Sequence, residues 1–135
     1  MKIRILTAIA LLVSAGTHLR LWLEGYRDIA VIGPAFLLNA VAGVLIAILM
    51  LAWRHWVPAL LAAGFGASTL GAFLISATVG LFGFREVWTG AAVLTAAVAE
   101  VVAVLGGSWA LVREYRRRSG ARTQDRPAAG GVHLP

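Results

Sequence analysis

The stretch VWTGAAVLTAAVAEVVAVLGGSWAL, from Val87 to Leu111, is apolar throughout except for one carboxylate, Glu100. About 20 helical residues at 1.5 Å rise each cross about 30 Å of hydrocarbon, so this run is long enough to span a bilayer. Glu100 stands about twelve residues from either end of it, which places the acid near the bilayer midplane. Three further runs of the same kind precede it, Ile3 to Leu23, Pro34 to Leu51 and Val57 to Leu81. Together they predict an all-α membrane protein. Residues 1–118 form an antiparallel four-helix transmembrane bundle, and residues 119–135 form a disordered basic cytoplasmic tail rich in Pro, Gly, Ala and Arg.

Composition agrees. Of the 135 residues 60% are hydrophobic and 13% charged, against about 25% charged in soluble domains, and the mean hydropathy is +0.85. The chain has no cysteine, which excludes disulfides, thiolate metal sites and the quinone-linked thiol oxidoreductases that share a four-span layout. The net charge of +6 collects at span ends, so its acidic partner is the lipid surface and not nucleic acid.

Orientation follows from the basic residues. Lys2 and Arg4 stand at the start of the first span, Arg54 lies between the second and third, and Arg113, Arg116, Arg117 and Arg118 follow the fourth. The other two connections are balanced, Arg20 and Arg27 by Glu24 and Asp28, and Arg85 by Glu86. Both termini are therefore expected on the cytoplasmic side of a bacterial plasma membrane, with Arg116, Arg117 and Arg118 against anionic headgroups. Trp22, Tyr26, Phe82, Phe84 and Trp88 form one aromatic belt and Trp53, Trp56, Trp109 and Tyr115 the other. Lys2 and Arg4 ahead of an apolar run ending Val13-Ser14-Ala15 also have the form of a secretory signal cleaved after Ala15. Apolar character resumes through Leu19, Leu21, Trp22 and Leu23, so an uncleaved span accounts for more residues.

Helices in lipid associate through close packing at small residues and through interhelical hydrogen bonds. Residues four apart share a helix face, and three rows have that spacing: Ala35, Asn39, Gly43 and Ala47; Gly64, Ser68, Ala72, Ser76 and Gly80; and Ala91, Thr95, Ala99, Ala103 and Gly107. These rows are read as contact faces, within the bundle or toward a second copy or a larger membrane complex. The connection from Gly25 to Gly33, with Ile29, Ala30, Val31 and Ile32, lies in the interface or folds over the bundle mouth.

An intramembrane acid is expensive, at least about 2.5 to 3.5 kcal/mol on insertion scales, and turns to the bundle interior. Glu100 has Ala96, Ala103 and Gly107 on its own face, which leaves room for a helix or a ligand. His18 in the first span, Asn39 in the second, Ser76 in the third and Thr95 in the fourth fall at one level in the outer half. This predicts a small cavity with Glu100 at its floor. Two readings stay open: a ligand-binding or proton-carrying group, or a set of interhelical hydrogen bonds. Glu24, Tyr26, Arg27 and Asp28 are candidates for an outer rim.

No catalytic constellation is visible and no enzyme is expected. His18 and His55 lie at opposite ends of the bundle, which rules against bis-histidine haem, and one histidine with one distant acid is a poor zinc site. There is no phosphate-cradling glycine loop and no nucleophile elbow, so no cofactor or metal is implied.

The stretch His18-Leu-Arg-Leu-Trp-Leu-Glu-Gly-Tyr-Arg-Asp, with Ile32-Gly33-Pro34 and Phe36-Leu-Leu-Asn39, resembles small four-span integral membrane proteins of actinobacterial type, over about His18 to Trp56. That resemblance implies no activity. The layout is also similar to small multidrug exporters, which carry their membrane acid in the first span, where this chain has His18. The expected function is binding of a small hydrophobic or cationic ligand, or of a partner subunit, at the intramembrane polar site. The alternatives are a structural accessory subunit of a larger membrane complex and, third, a small proton-coupled transporter, which requires a homo-oligomer.

Overall fold

The computed structural model describes residues 1–83, 85–87 and 90–124, with side chains to residue 121. The described chain is all-helical: α1 (Lys2–Leu23), a short 3-10 turn (Tyr26–Asp28), α2 (Ile32–Ala52), α3 (Trp56–Thr78) and α4 (Ala91–Gln124). All four α-helices are long and apolar enough to cross a membrane.

Many large apolar side chains face outward, while several polar ones are buried among the small and apolar residues of the interior. Leu38, Val98 and Leu105 are about two-thirds exposed, while Arg4, Thr7, Ser14, His18, Ser76 and Glu100 are buried. In lipid a leucine gains nothing by turning inward, whereas a polar group must find a partner, so polar and small residues take the interior.

Local signals start the helices. Pro34 and Pro58 each stand in a first turn, where the missing N–H has no helical acceptor to lose. The His55 ring accepts from the Val57 N–H at 3.3 Å and so caps α3. Arg4, read from sequence as a flanking anchor, is a buried clamp. It donates from Nε to the Met50 carbonyl at 2.9 Å, from Nη2 to that of Trp53 at 2.6 Å and from Nη1 to that of His55 at 3.3 Å. A cation on the last carbonyls of α2 satisfies orphan acceptors and opposes the negative end of the helix dipole.

The largest boundary differences from the sequence reading lie at the end of α3 and at the two ends of α4. The third helix stops at Thr78, short of Leu81, and the fourth starts at Ala91, after Val87. Gly80 and Gly83 adopt positive φ between them, as does Phe82 at 49°, so the apolar run turns and cannot stay helical. At the other end α4 continues past Arg118 to Gln124, so residues 119–124 are helix and not a disordered tail. Arg118 pairs with Glu114 one turn back at 3.7 Å, and arginine is a good helix former. Residues 125–135, and Phe84 and Trp88 of the expected aromatic belt, lie outside the described residues.

Packing is uneven. α3 lies chiefly against α4, and α1 against both α2 and α4, whereas α2 and α3, joined only through Trp53 to His55, touch far less. The tight core takes in the start of α1 and the end of α2, with Leu11, Ala47, Met50, Ala59, Ala62 and Ala103 fully enclosed. Glycine permits the closest approach. A Cβ on Gly66 would stand 2.6 Å from the Glu100 carbonyl oxygen, and one on Gly107 would stand 2.6 Å from the Ala63 nitrogen. The expected rows in α2 and α4 do pack, from Gly43 and Ala99 onward. The α3 row does not begin where expected, since Gly64 faces open space and Ser68 is exposed. The α3 face that meets α4 runs through Ala59, Ala63 and Gly66. Small residues occur on several faces of α3, and spacing alone does not rank them.

Candidate functional site

Where the α2–α3 seam loosens, the bundle holds a partly open cavity of about 230 Å³. Its wall draws on every helix: His18 from α1, Phe36 and Asn39 from α2, Thr69 and Ser76 from α3, and Glu100 from α4. Four of the five residues expected to share a site do so. Thr95 does not. It is exposed on the opposite face of α4, beside Leu6 and Val13, with its hydroxyl donating to the Ala91 carbonyl at 2.7 Å. It is five residues from Glu100, and a five-residue step turns well away from a shared helix face.

Glu100 is 1% exposed. The Ser14 hydroxyl donates to its Oε1 at 3.4 Å, and His18 Nε2 lies 3.8 Å from the same oxygen. The other ring nitrogen, His18 Nδ1, is 2.9 Å from the Ser14 carbonyl oxygen. A carbonyl only accepts, so Nδ1 carries a hydrogen and Nε2 faces the acid. At 3.8 Å the two are neighbours beyond direct hydrogen-bond reach, and the Ser14 hydroxyl is the contact that links them. Ser14 holds ring and acid together and belongs to the site. Ser14 stands four residues before His18 and so shares its helix face, but spacing does not tie it to Glu100.

Asn39 does two things. Its Nδ2 donates to Thr69 Oγ1 at 2.9 Å, bridging α2 to α3 across the loose seam. Its Oδ1 is buried and has no hydrogen-bond partner among the described residues. An unmet buried acceptor costs about 1–3 kcal/mol.

The connection between α1 and α2, shorter than expected because Ile32 and Gly33 already belong to α2, folds over this end of the bundle. Tyr26 stacks on Phe36 with centroids 5.0 Å apart, and Phe36 meets His18 edge-on at 5.0 Å. Ile32 is buried in the cavity wall. Of the expected rim residues only Tyr26 turns to the mouth. Glu24 pairs with Arg20 at 2.7 Å, and Arg27 lies 3.7 Å from Asp28, all four well exposed. Charges that find each other in solvent have no reason to turn inward.

The residue missed by sequence reasoning is Glu86, which had been set against Arg85. Arg85 donates instead to the Thr78 carbonyl at the end of α3, at 2.6 Å. Glu86 is left to the cavity, where its N–H donates to Ser76 Oγ at 3.2 Å and its Oε1 accepts from the Tyr26 hydroxyl at 3.3 Å. Burial, together with this carboxylate, pushes the Tyr26 phenol above its ordinary 10.0. The signal available in the sequence was the pair of glycines ahead of it, Gly80 and Gly83, which turn the chain back toward the bundle.

Among the described residues no group of three or more His, Asp or Glu is placed to hold a metal ion. Fold and site thus define a four-helix protein able to span a membrane, with a mostly apolar cavity at one end that carries a few polar groups. No protein-family model matches the chain, and no curated protein or solved structure is significantly similar to it.

Proposed function

We propose that this is a multi-pass protein of the bacterial plasma membrane that binds a small hydrophobic or cationic ligand in the cavity between His18, Asn39, Ser76, Glu86 and Glu100. On this reading its helices alternate in direction, both termini are cytoplasmic, and the cavity lies in the outer half of the bilayer. The observation that carries it is the convergence of polar side chains from four helices on one cavity. Side chains that served only to fasten helices would close on one another, as Asn39 and Thr69 partly do. An unmet Asn39 oxygen beside that space is the opposite arrangement. The volume lies below the roughly 300–1,000 Å³ of sites for drug-sized molecules, so the ligand is smaller than those.

The test is native mass spectrometry of the protein extracted from its own membrane in a mild detergent. The wild type carries a small-molecule adduct, and Ala72→Leu, which fills the cavity from α3, releases it while remaining folded. A folded wild type with no adduct, or an adduct retained by Ala72→Leu, refutes the proposal. Stoichiometric recovery with a larger membrane complex and no small molecule instead supports the accessory-subunit reading.

A further inference from the structure

Resting on that ligand-binding reading, we propose that the ligand is a small organic cation bearing N–H donors, a protonated primary or secondary amine on a compact apolar body, held by Asn39 Oδ1 and the Glu86 and Glu100 carboxyls. The argument is a count of what the wall offers. Two acids face the cavity and, among its described lining residues, no lysine or arginine does. An anion therefore finds no lysine or arginine to meet it there. Two of the wall hydroxyls spend their hydrogens on the protein: Ser68 donates to the Phe65 carbonyl at 3.0 Å and Thr69 donates to the same oxygen at 2.9 Å. Thr69 also receives the Asn39 amide hydrogen, and His18 Nδ1–H is committed to Ser14. Among the polar atoms of the wall, the Asn39 Oδ1 acceptor is buried with no hydrogen-bond partner among the described residues. A purely apolar ligand would bury that oxygen permanently without a donor, whereas an ammonium supplies two or three. Phe36 and Phe73 line the same cavity and suit both an apolar body and a cationic head.

The experiment is isothermal titration calorimetry of the detergent-solubilised full chain with three probes of one shape: phenethylammonium, its trimethylammonium analogue and neutral phenethyl alcohol. Phenethylammonium binds at least about tenfold more tightly than either of the others, and Glu86→Gln and Asn39→Leu each narrow that preference. Glu86 stands outside the helices, so its substitution tests the claim even if Asn39→Leu loosens the bundle. Equal or tighter binding of the alcohol, abolished by Ala72→Leu, overturns the amine assignment and leaves the ligand site standing. Tighter binding of the trimethylammonium probe retains the charge and overturns the N–H requirement. Failure of all three probes overturns the assignment, and the mass spectra of wild type and Ala72→Leu then decide separately whether the ligand site falls with it.

Discussion

Gly107→Ala is the most direct test of how this bundle is held together. Its new Cβ would stand 2.6 Å from the Ala63 nitrogen and 2.8 Å from the Ala59 oxygen, both backbone atoms of the facing helix. Neither can rotate aside, so α3 and α4 must part by roughly 0.8 Å to restore ordinary contact, and a gap of that size forfeits a quarter to a half of each neighbouring dispersion well. In lipid these contacts are the main attraction between helices. Overpacking of this kind costs roughly 1–3 kcal/mol. Gly66→Ala meets the Glu100 carbonyl oxygen at 2.6 Å and should fall in the same range. Gly64→Ala is the control, because its Cβ meets nothing within 4 Å, and alanine in place of an open helical glycine gains about 0.5–1 kcal/mol. The assay is equilibrium unfolding by SDS in mixed micelles, followed by circular dichroism. The expected result is loss for Gly66 and Gly107 and no loss for Gly64. Equal destabilisation by Gly64→Ala, or a neutral Gly107→Ala, would refute the packing argument.

Arg4→Gln should destabilise the bundle by roughly 1.5–3 kcal/mol in the same assay, the range for hydrogen bonds from a charged donor; Arg4→Lys should recover only part, since one ammonium cannot match a guanidinium spread over three carbonyls, and full recovery would count against the clamp. The difference between ultraviolet titrations of wild type and Tyr26→Phe should show a phenol ionising above 10.0, because burial and Glu86 oppose its charge. Its folded value is raised, so the stability it contributes is complete below the unfolded value and is lost as pH rises through the folded one; a midpoint at or below 10.0 would contradict the contact. The chain has no cysteine of its own, so single substitutions report sidedness cleanly. Glu24→Cys should react with an impermeant maleimide in right-side-out vesicles, and Arg54→Cys and Gly120→Cys only in inverted ones; labelling of Glu24→Cys and Arg54→Cys from one side would sink the proposed orientation.

The candidate site was legible in the sequence to the extent that a single residue states its own cost. Glu100, His18 and Asn39 are expensive in hydrocarbon wherever they stand, and depth along each span was enough to bring them together with Ser76. Depth failed for Thr95, because level says nothing about the direction in which a side chain points. Glu86 was illegible for a related reason. In sequence it neighbours Arg85, and only the folded turn shows that Arg85 is drawn to the end of α3 while Glu86 swings to Tyr26 and Ser76.

The sequence by itself determined that four helices form and are able to span a membrane, since span length and hydropathy are properties of consecutive residues and need no partner. It also determined that an acid, an imidazole and an amide lie within apolar helices. Tertiary structure alone decided the rest: which face of α3 meets α4, that Arg4 seals the end of α2, that α2 and α3 separate enough to leave a cavity, and that Ser14 joins His18 to Glu100. The reason is physical. A helix that is apolar on every side has no contrast between a greasy face and a polar one to set its rotation, so rotation is settled by long-range fit between small residues and by where each polar atom finds its partner.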